Sequence, residues 1–287
     1  MPEIVPKIGS SVALIVLGLL FGMIVAVLVM QLFSLGIDDL YTSRISLLIG
    51  EAFMPVPIIL WVRRIGNNFK SSFRFRSVSI SSVLAAIPLG LGLTIIIDEL
   101  DRIAQMIYPV PEDFVRIQDF MRIDSLSSAL LIIGVVVLIA PLLEEMIFRG
   151  FFQRILEYRL KDVTKAVLFS ALTFAVVHFN PWWVVQIYLI GLFFGYVAWR
   201  TNSIWIPFLL HALNNGISVW FANMNQEDLA GFGWHGHTPP LLLLAGVVLF
   251  YLGLRWFIRV TPVANKDEDV MNIEDFIKKQ SSSDLRM

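Results

Sequence analysis

Long stretches of this chain carry no charge. Ile8 to Ile37, Ser77 to Ile97, Ser125 to Leu143, Ala166 to Trp199 and Thr201 to Gln226 contain no Asp, Glu, Lys or Arg. A helix needs roughly 20 apolar residues to cross the hydrocarbon core of a bilayer, more than a soluble core helix requires. The pattern predicts an all-α, polytopic membrane bundle of about eight transmembrane helices. They are placed near residues 9–36, 45–62, 78–97, 127–150, 166–179, 182–199, 204–222 and 240–258. Asn180-Pro181 supplies the turn between the fifth and sixth.

The polar segments between the spans set an orientation. Arg63, Arg64, Lys70, Arg74 and Arg76 follow the second span, and Arg154, Arg159, Lys161 and Lys165 follow the fourth. The opposite loops are acidic or neutral, with Asp98, Glu99, Asp101, Glu112, Asp113, Asp119 and Asp124. Basic loops stay on the cytosolic side, which places both termini in the cytosol. Residues 98–125 are expected to hold a short amphipathic stretch outside. The charged tail from Thr261 is expected to be mobile, with a helical turn or two near Val270 to Lys279. The expected units are 1–125, 126–222, 223–260 and the tail 261–287.

Composition narrows the class. The chain has 287 residues, 57% hydrophobic and 16% charged, and a net charge of −1, so no basic surplus points to nucleic acid. It has no cysteine, which excludes disulfides, thiolate metal ligands and a cysteine nucleophile. The first apolar run is too long for a signal-peptide core and reads as a retained span. No internal repeat supports an inverted-repeat transporter.

Against this background, a few polar residues inside spans require a reason, because a charge at mid-bilayer costs a few kcal/mol or more. Span four carries Glu144-Glu145-x-x-x-Arg149, span five ends Phe174-x-x-x-His178, and span seven carries His211-x-x-Asn214-Asn215. Glu145 and Arg149 are i, i+4 and can pair on one helix face. Glu144, one position away, points about 100° from that pair and stays available for chemistry. Helical rise puts Glu144 roughly 22 Å from Arg159, His178 roughly 20 Å from Lys165, and His211 roughly 16 Å from Arg200. Three segments thus bring their costly residues to a similar depth.

These motifs resemble the CPBP family (CAAX proteases and bacteriocin-processing enzymes). Glu144-Glu145-x-x-x-Arg149 is similar to its first motif, Phe174-x-x-x-His178 to its second, and His211-x-x-x-Asn215 to its last. Gly191 to Pro207 also resembles the family's segment before the last motif, and the likeness covers about residues 125 to 222. It implies an intramembrane endopeptidase acting on membrane-associated proteins or peptides at a cell membrane. Glu144 and His178 would activate a water, His211 and Asn215 would stabilise the oxyanion, and Glu145 and Arg149 would hold the site together. A metal version uses Glu144, His178 and His211 as a zinc site, so the expected cofactor is either none or one divalent metal such as zinc.

Other readings bear on the same residues. A non-catalytic membrane scaffold or bacteriocin-immunity protein would need no such set, and a proton-coupled transporter would want paired broken helices. Glu51 could line a cavity, but the expected role is to cap or pair near the prolines of span two. His235-x-His237 reads as an ordinary loop, Gln186 as a helix–helix contact, Phe174 as packing, and Trp182, Trp183, Trp205, Trp234 and Trp256 as interfacial anchors. Substrate, cleavage site and oligomeric state are not legible in the sequence.

Overall fold

The computed structural model describes residues 5–33, 39–111 and 120–263, and they form a helical bundle. Its principal helices are α1 (Ile8–Phe33), α2 (Asp39–Phe53), α3 (Val56–Arg64), α4 (Ile80–Ile107), α5 (Leu126–Leu160), α6 (Val163–Val176), α7 (Val184–Thr201), α8 (Trp205–Ala222) and α9 (Pro240–Val260). Among the described residues the only β pairing is an isolated bridge between Trp234 and His237.

Six of these rods are long and apolar enough to cross a membrane: α1, the α2–α3 rod from Thr42 to Arg64, α4, α5, α7 and α9. The chain is an integral membrane protein. The count of eight expected from the sequence is therefore six on length and composition. The remaining two fall on α6, which has only 14 residues, and on α8. α8 has 18 residues, but His211, Asn214 and Asn215 dilute its apolar character.

Two spans run further than expected. The fourth continues past residue 150 to Leu160, because Arg149 and Gln153 are fully buried inside the protein rather than facing lipid. The third runs to Ile107, so the stretch expected outside from residue 98 begins as helix. There Asp98 accepts from Arg102 at 2.8 Å and Asp101 from Gln105 at 2.5 Å, both one turn apart. The helical turns expected near Val270 to Lys279 lie outside the described residues.

Caps and close contacts fix the frame. Ser79, Ser125 and Asp162 cap α4, α5 and α6 by accepting backbone N–H groups three residues on, as helix starts require. The Lys165 backbone N–H and then its ammonium hold the exposed Asp162 carboxyl below the usual range. α4 and α9 cross closely: a Cβ added at Gly253 would lie 2.6 Å from the Leu89 backbone nitrogen. Small residues permit such backbone approach where the hydrophobic effect does not drive helices together.

One buried core lies at the basic end of the bundle. It packs Ile58 and Val62 of α3 against Phe73, Phe148, Phe151, Phe152 and Leu156. A second joins Ala85 and Leu89 of α4 to Phe194, Ile206, Leu210 and Phe257. The loop between α3 and α4 docks on α5 at Gly150, where a Cβ would sit 2.6 Å from the Phe73 carbonyl oxygen. Arg74 secures it, donating to the Arg149 carbonyl at 3.1 Å and to Glu157 at 2.5 Å.

Candidate active site

α5 is not a uniform α-helix where the motif lies. π-helical segments at Ile133–Ile139 and Met146–Phe152 flank a short α segment, Ala140–Glu145. Pro141 has no N–H to give to the ladder. The Ala140 N–H bonds the Val135 carbonyl five residues back, and Gln153 does the same with Phe148. Such π segments are frequent at functional sites, because they rotate side chains out of the α register.

The segment between them presents two carboxylates with different fates. Glu145 is completely buried, and its Oε1 lies 3.1 Å from an Arg149 guanidinium nitrogen and 3.0 Å from His211 Nδ1. The Arg149 pairing expected from the spacing is present, and the imidazole is a further partner. His211 therefore donates its Nδ1–H to Glu145, which fixes the ring and leaves Nε2 to face Glu144 Oε2 at 3.7 Å. That separation exceeds a hydrogen bond. Glu144 Oε2 is buried and has no hydrogen-bond partner among the described residues.

Arg149 is buried among several partners, although its Nε has no hydrogen-bond partner among the described residues. It donates to the Gly191 carbonyl at 3.3 Å, and its guanidinium lies 4.0 Å from the Phe174 ring centroid and 5.6 Å from that of Phe194. Phe174 also meets the His178 ring edge-on at 4.7 Å and His211 at 5.8 Å. It is more than filler: one ring touches the buried cation and both candidate histidines. A cation over a desolvated aromatic face gains about 2 kcal/mol.

His178 lines the same cavity as Glu144, from the turn after α6. Its Nδ1–H donates to the Phe174 carbonyl at 2.6 Å, and no hydrogen bond or ion pair joins it to Glu144 among the described residues. Asn215 donates to the Val136 carbonyl at 2.9 Å, inside the first π segment. Neighbouring Asn214 accepts from Thr94 at 3.4 Å.

All four candidate catalytic residues line one cavity of about 740 Å³. From α5 it takes Leu131 to Glu144 and nothing beyond; from α7, Gln186 to Ile190; from α8, His211 to Ala222; from α4, Asp98 to Gln105. Every one of these stretches lies on the side of Glu144 nearer the acidic loops. Toward the basic end the walls close over Glu145, Phe148, Arg149, Phe152 and Gln153, each at most 2% exposed. The four residues thus form the floor of a chamber open at one end.

Three further residues gain a place in the structure. Glu51, expected to cap or pair, instead lines this cavity with a buried Oε2 that has no partner among the described residues. Gln186, expected at a helix contact, is also on the cavity wall. In the loop, His237 Nδ1 donates to Glu99 at 2.7 Å, tying the end of α4 to the loop before α9. The π segments escaped the sequence reading, although Pro141 inside a predicted span was a signal for the first.

The metal version needs three ligands converging on one point. Among the described residues no group of three His, Cys, Asp or Glu side chains is placed to hold a metal ion. Glu144, His178 and His211 do not meet in that way.

A polytopic helical membrane protein with a buried Glu145–His211 pair beside Glu144 in one cavity is the class that fold and site define. Within it, residues 126–217 match the family model described as Type II CAAX prenyl endopeptidase Rce1-like. The matched segment runs from the start of α5 almost to the end of α8 and contains all seven motif residues. No curated protein and no solved structure matches the chain.

Proposed function

We propose that this chain is an intramembrane endopeptidase that cleaves membrane-associated proteins or peptides with a Glu-activated water. The observation that carries the reading is the Glu145–His211–Glu144 series, in which a buried carboxylate orients an imidazole toward a second, unpartnered carboxylate at the cavity floor.

Chemistry at that floor is as follows. Glu144 takes a proton from water, and the hydroxide attacks the scissile carbonyl. His211, holding protons on both ring nitrogens, keeps Nδ1–H on Glu145 and offers Nε2–H to the developing oxyanion. Asn215 has a second amide proton beyond the one given to Val136, and directs it to the same oxygen. Glu144 then returns its proton to the leaving amine. His178, whose Nδ1–H is occupied by Phe174, contributes Nε2 from the cavity wall as a second acceptor for the water.

The reaction is proposed as metal-free. Supporting this, Glu144, His178 and His211 form no three-ligand cluster among the described residues. Full activity after exhaustive chelation is the expected result, and loss restored by zinc alone would replace this mechanism with the metal version. With both termini cytosolic, the chamber opens on the non-cytosolic side of a cell membrane. A scaffold or bacteriocin-immunity role is the rival.

Comparing membrane-proteome N-termini in cells expressing wild type or Glu144→Ala at equal levels separates them. Termini that appear only with wild type support the protease and identify its substrates. Identical profiles with both proteins folded and abundant would turn the reading to the scaffold.

A further inference from the structure

Two bonds fix the relative depth of α5 and α7. Arg149 donates to the Gly191 carbonyl at 3.3 Å and Gln153 to the Gly195 carbonyl at 2.9 Å, each across 42 positions of sequence. The ties lie one helical turn apart and advance together, so the two helices run parallel and in step at the waist. Gly195 permits the approach: a Cβ there would sit 2.9 Å from Gln153 Oε1. Carried five residues toward the acidic end, about 7 Å of helix, the same offset sets Gln186 of α7 level with Glu144 of α5. Both residues line the same chamber.

Gln186 differs from the other carboxamides on that wall. Gln105 donates to Asp101 at 2.5 Å, Asn214 accepts from Thr94 at 3.4 Å, and Asn215 donates to the Val136 carbonyl at 2.9 Å. Gln186 has no hydrogen-bond partner among the described residues. Trp183, Ile187 and Ile190, at helical spacing on the same face of α7, surround it with apolar wall. A carboxamide offers two N–H donors and a carbonyl oxygen, the complement of a peptide unit. A peptide bond presented to Glu144 has left its own helical or solvent partners, and backbone groups buried without a partner are costly.

Resting on the protease reading, we propose that Gln186 is a substrate-binding residue of this site. Its Oε1 accepts a backbone N–H, and its Nε2–H donates to a backbone carbonyl, of an extended substrate segment beside the scissile bond. The substrate class is therefore an unwound peptide, since an intact helix has already paired these groups within itself.

The test uses the purified full chain in mild detergent and a synthetic peptide spanning a cleavage site found by N-terminal profiling. Gln186→Met keeps the length of the side chain and removes the amide. Its thermal midpoint should match wild type, because no bond of the resting protein is lost. KM should rise about tenfold, the order of one hydrogen bond to a buried partner. The turnover number should stay within about twofold, because the pairing is made equally in the ground and transition states. Peptides N-methylated at single residues around the scissile bond then locate the pairing. One of them should bind wild type more weakly yet cost Gln186→Met nothing further, since groups in contact are non-additive. An unchanged KM would overturn the proposal, as would a fall in kcat at constant KM. So would a Gln186→Met penalty that is equal for every peptide, which would mark a general distortion of the site. If wild type and Glu144→Ala give the same termini in the profiling, the protease reading falls and takes this inference with it. Wild-type cleavage with Gln186→Met at wild-type KM removes this inference alone.

Discussion

The two ends of the bundle hold cavities of the same size and opposite character. Each encloses about 740 Å³. The first is lined by Glu51, Asp98, Asp101 and Glu144 against Arg44 and Arg102; the second has three cations and no acid. Between them lies a sealed waist in which Glu145, Arg149 and Gln153 are wholly buried and bonded to one another or to neighbouring backbone. The difference shows how a helical bundle can admit water to a buried carboxylate without opening a path through the membrane. Polarity reaches Glu144 from one end only; beyond it Glu145, Arg149 and Gln153 are each tied to a neighbour, although Glu145 Oε2, Arg149 Nε and Gln153 Oε1 have no hydrogen-bond partner among the described residues.

The largest expected effect breaks the comparison at its centre. Glu144→Ala should lower turnover about 10⁴-fold, the upper range for a positioned general base, while leaving a folded, extractable protein. Lys70→Gln, in the other cavity, should leave turnover in neutral-lipid vesicles unchanged. Turnover measured on a substrate found by N-terminal profiling checks both. Near-normal cleavage by Glu144→Ala would remove the catalytic meaning of the acidic chamber.

Next comes the waist itself. Arg149→Met leaves Glu145 buried without its cation, and removing one partner of a buried ion pair costs about 3–5 kcal/mol. The thermal midpoint should fall steeply, and Glu145→Gln with Arg149→Met should recover part of the loss. If the single and double variants are equally destabilised, the pair does not act as the seal.

Asn215→Ala tests the oxyanion role with a smaller effect. Losing one such donor costs about 10²–10³ in kcat. KM should change little, because the interaction strengthens only as the oxyanion forms. A variant that raises KM at constant kcat would show Asn215 to be a binding or packing group through its bond to Val136.

The side to which each cavity opens can be read directly, because the native chain has no cysteine. Single cysteines at Ser218, in the acidic chamber, and at Asn68, in the basic one, should label from opposite faces with a membrane-impermeant maleimide. Ser218 is expected to react from the non-cytosolic side and Asn68 from the cytosolic side. Labelling of both from one face would overturn the orientation.

Much of this arrangement was legible in the sequence, for reasons that also explain where it was not. Uncharged runs revealed the apolar rods, since lipid tolerates little else. The spacing of Glu145 and Arg149 gave their pairing, because residues four apart share a helix face even across a helical irregularity. The bond from Glu145 to His211 was not visible, because it joins residues 66 positions apart on two helices whose rotation no spacing rule sets. The continuation of α5 past residue 150 was hidden because its charges face the protein. Glu51 is the opposite case: its neighbouring prolines favoured a local partner over the cavity, whereas its environment is the chamber wall near Glu144.

Glu51 also gives the smallest and most discriminating prediction. Its Oε2 is buried in the acidic cavity without a partner among the described residues, beside a second carboxylate at Glu144. An unsatisfied buried polar group costs about 1–3 kcal/mol, and more if it is charged. Glu51→Gln keeps the shape, removes the carboxyl and lets the amide donate within the cavity, so the thermal midpoint should rise. Natural proteins retain such destabilising groups where function uses them. Turnover should therefore fall as stability rises, and the two measurements belong on the same preparation. A midpoint that falls instead would mean that the chamber supplies Glu51 with a stabilising partner, and its acidity would then be balanced much as the waist is.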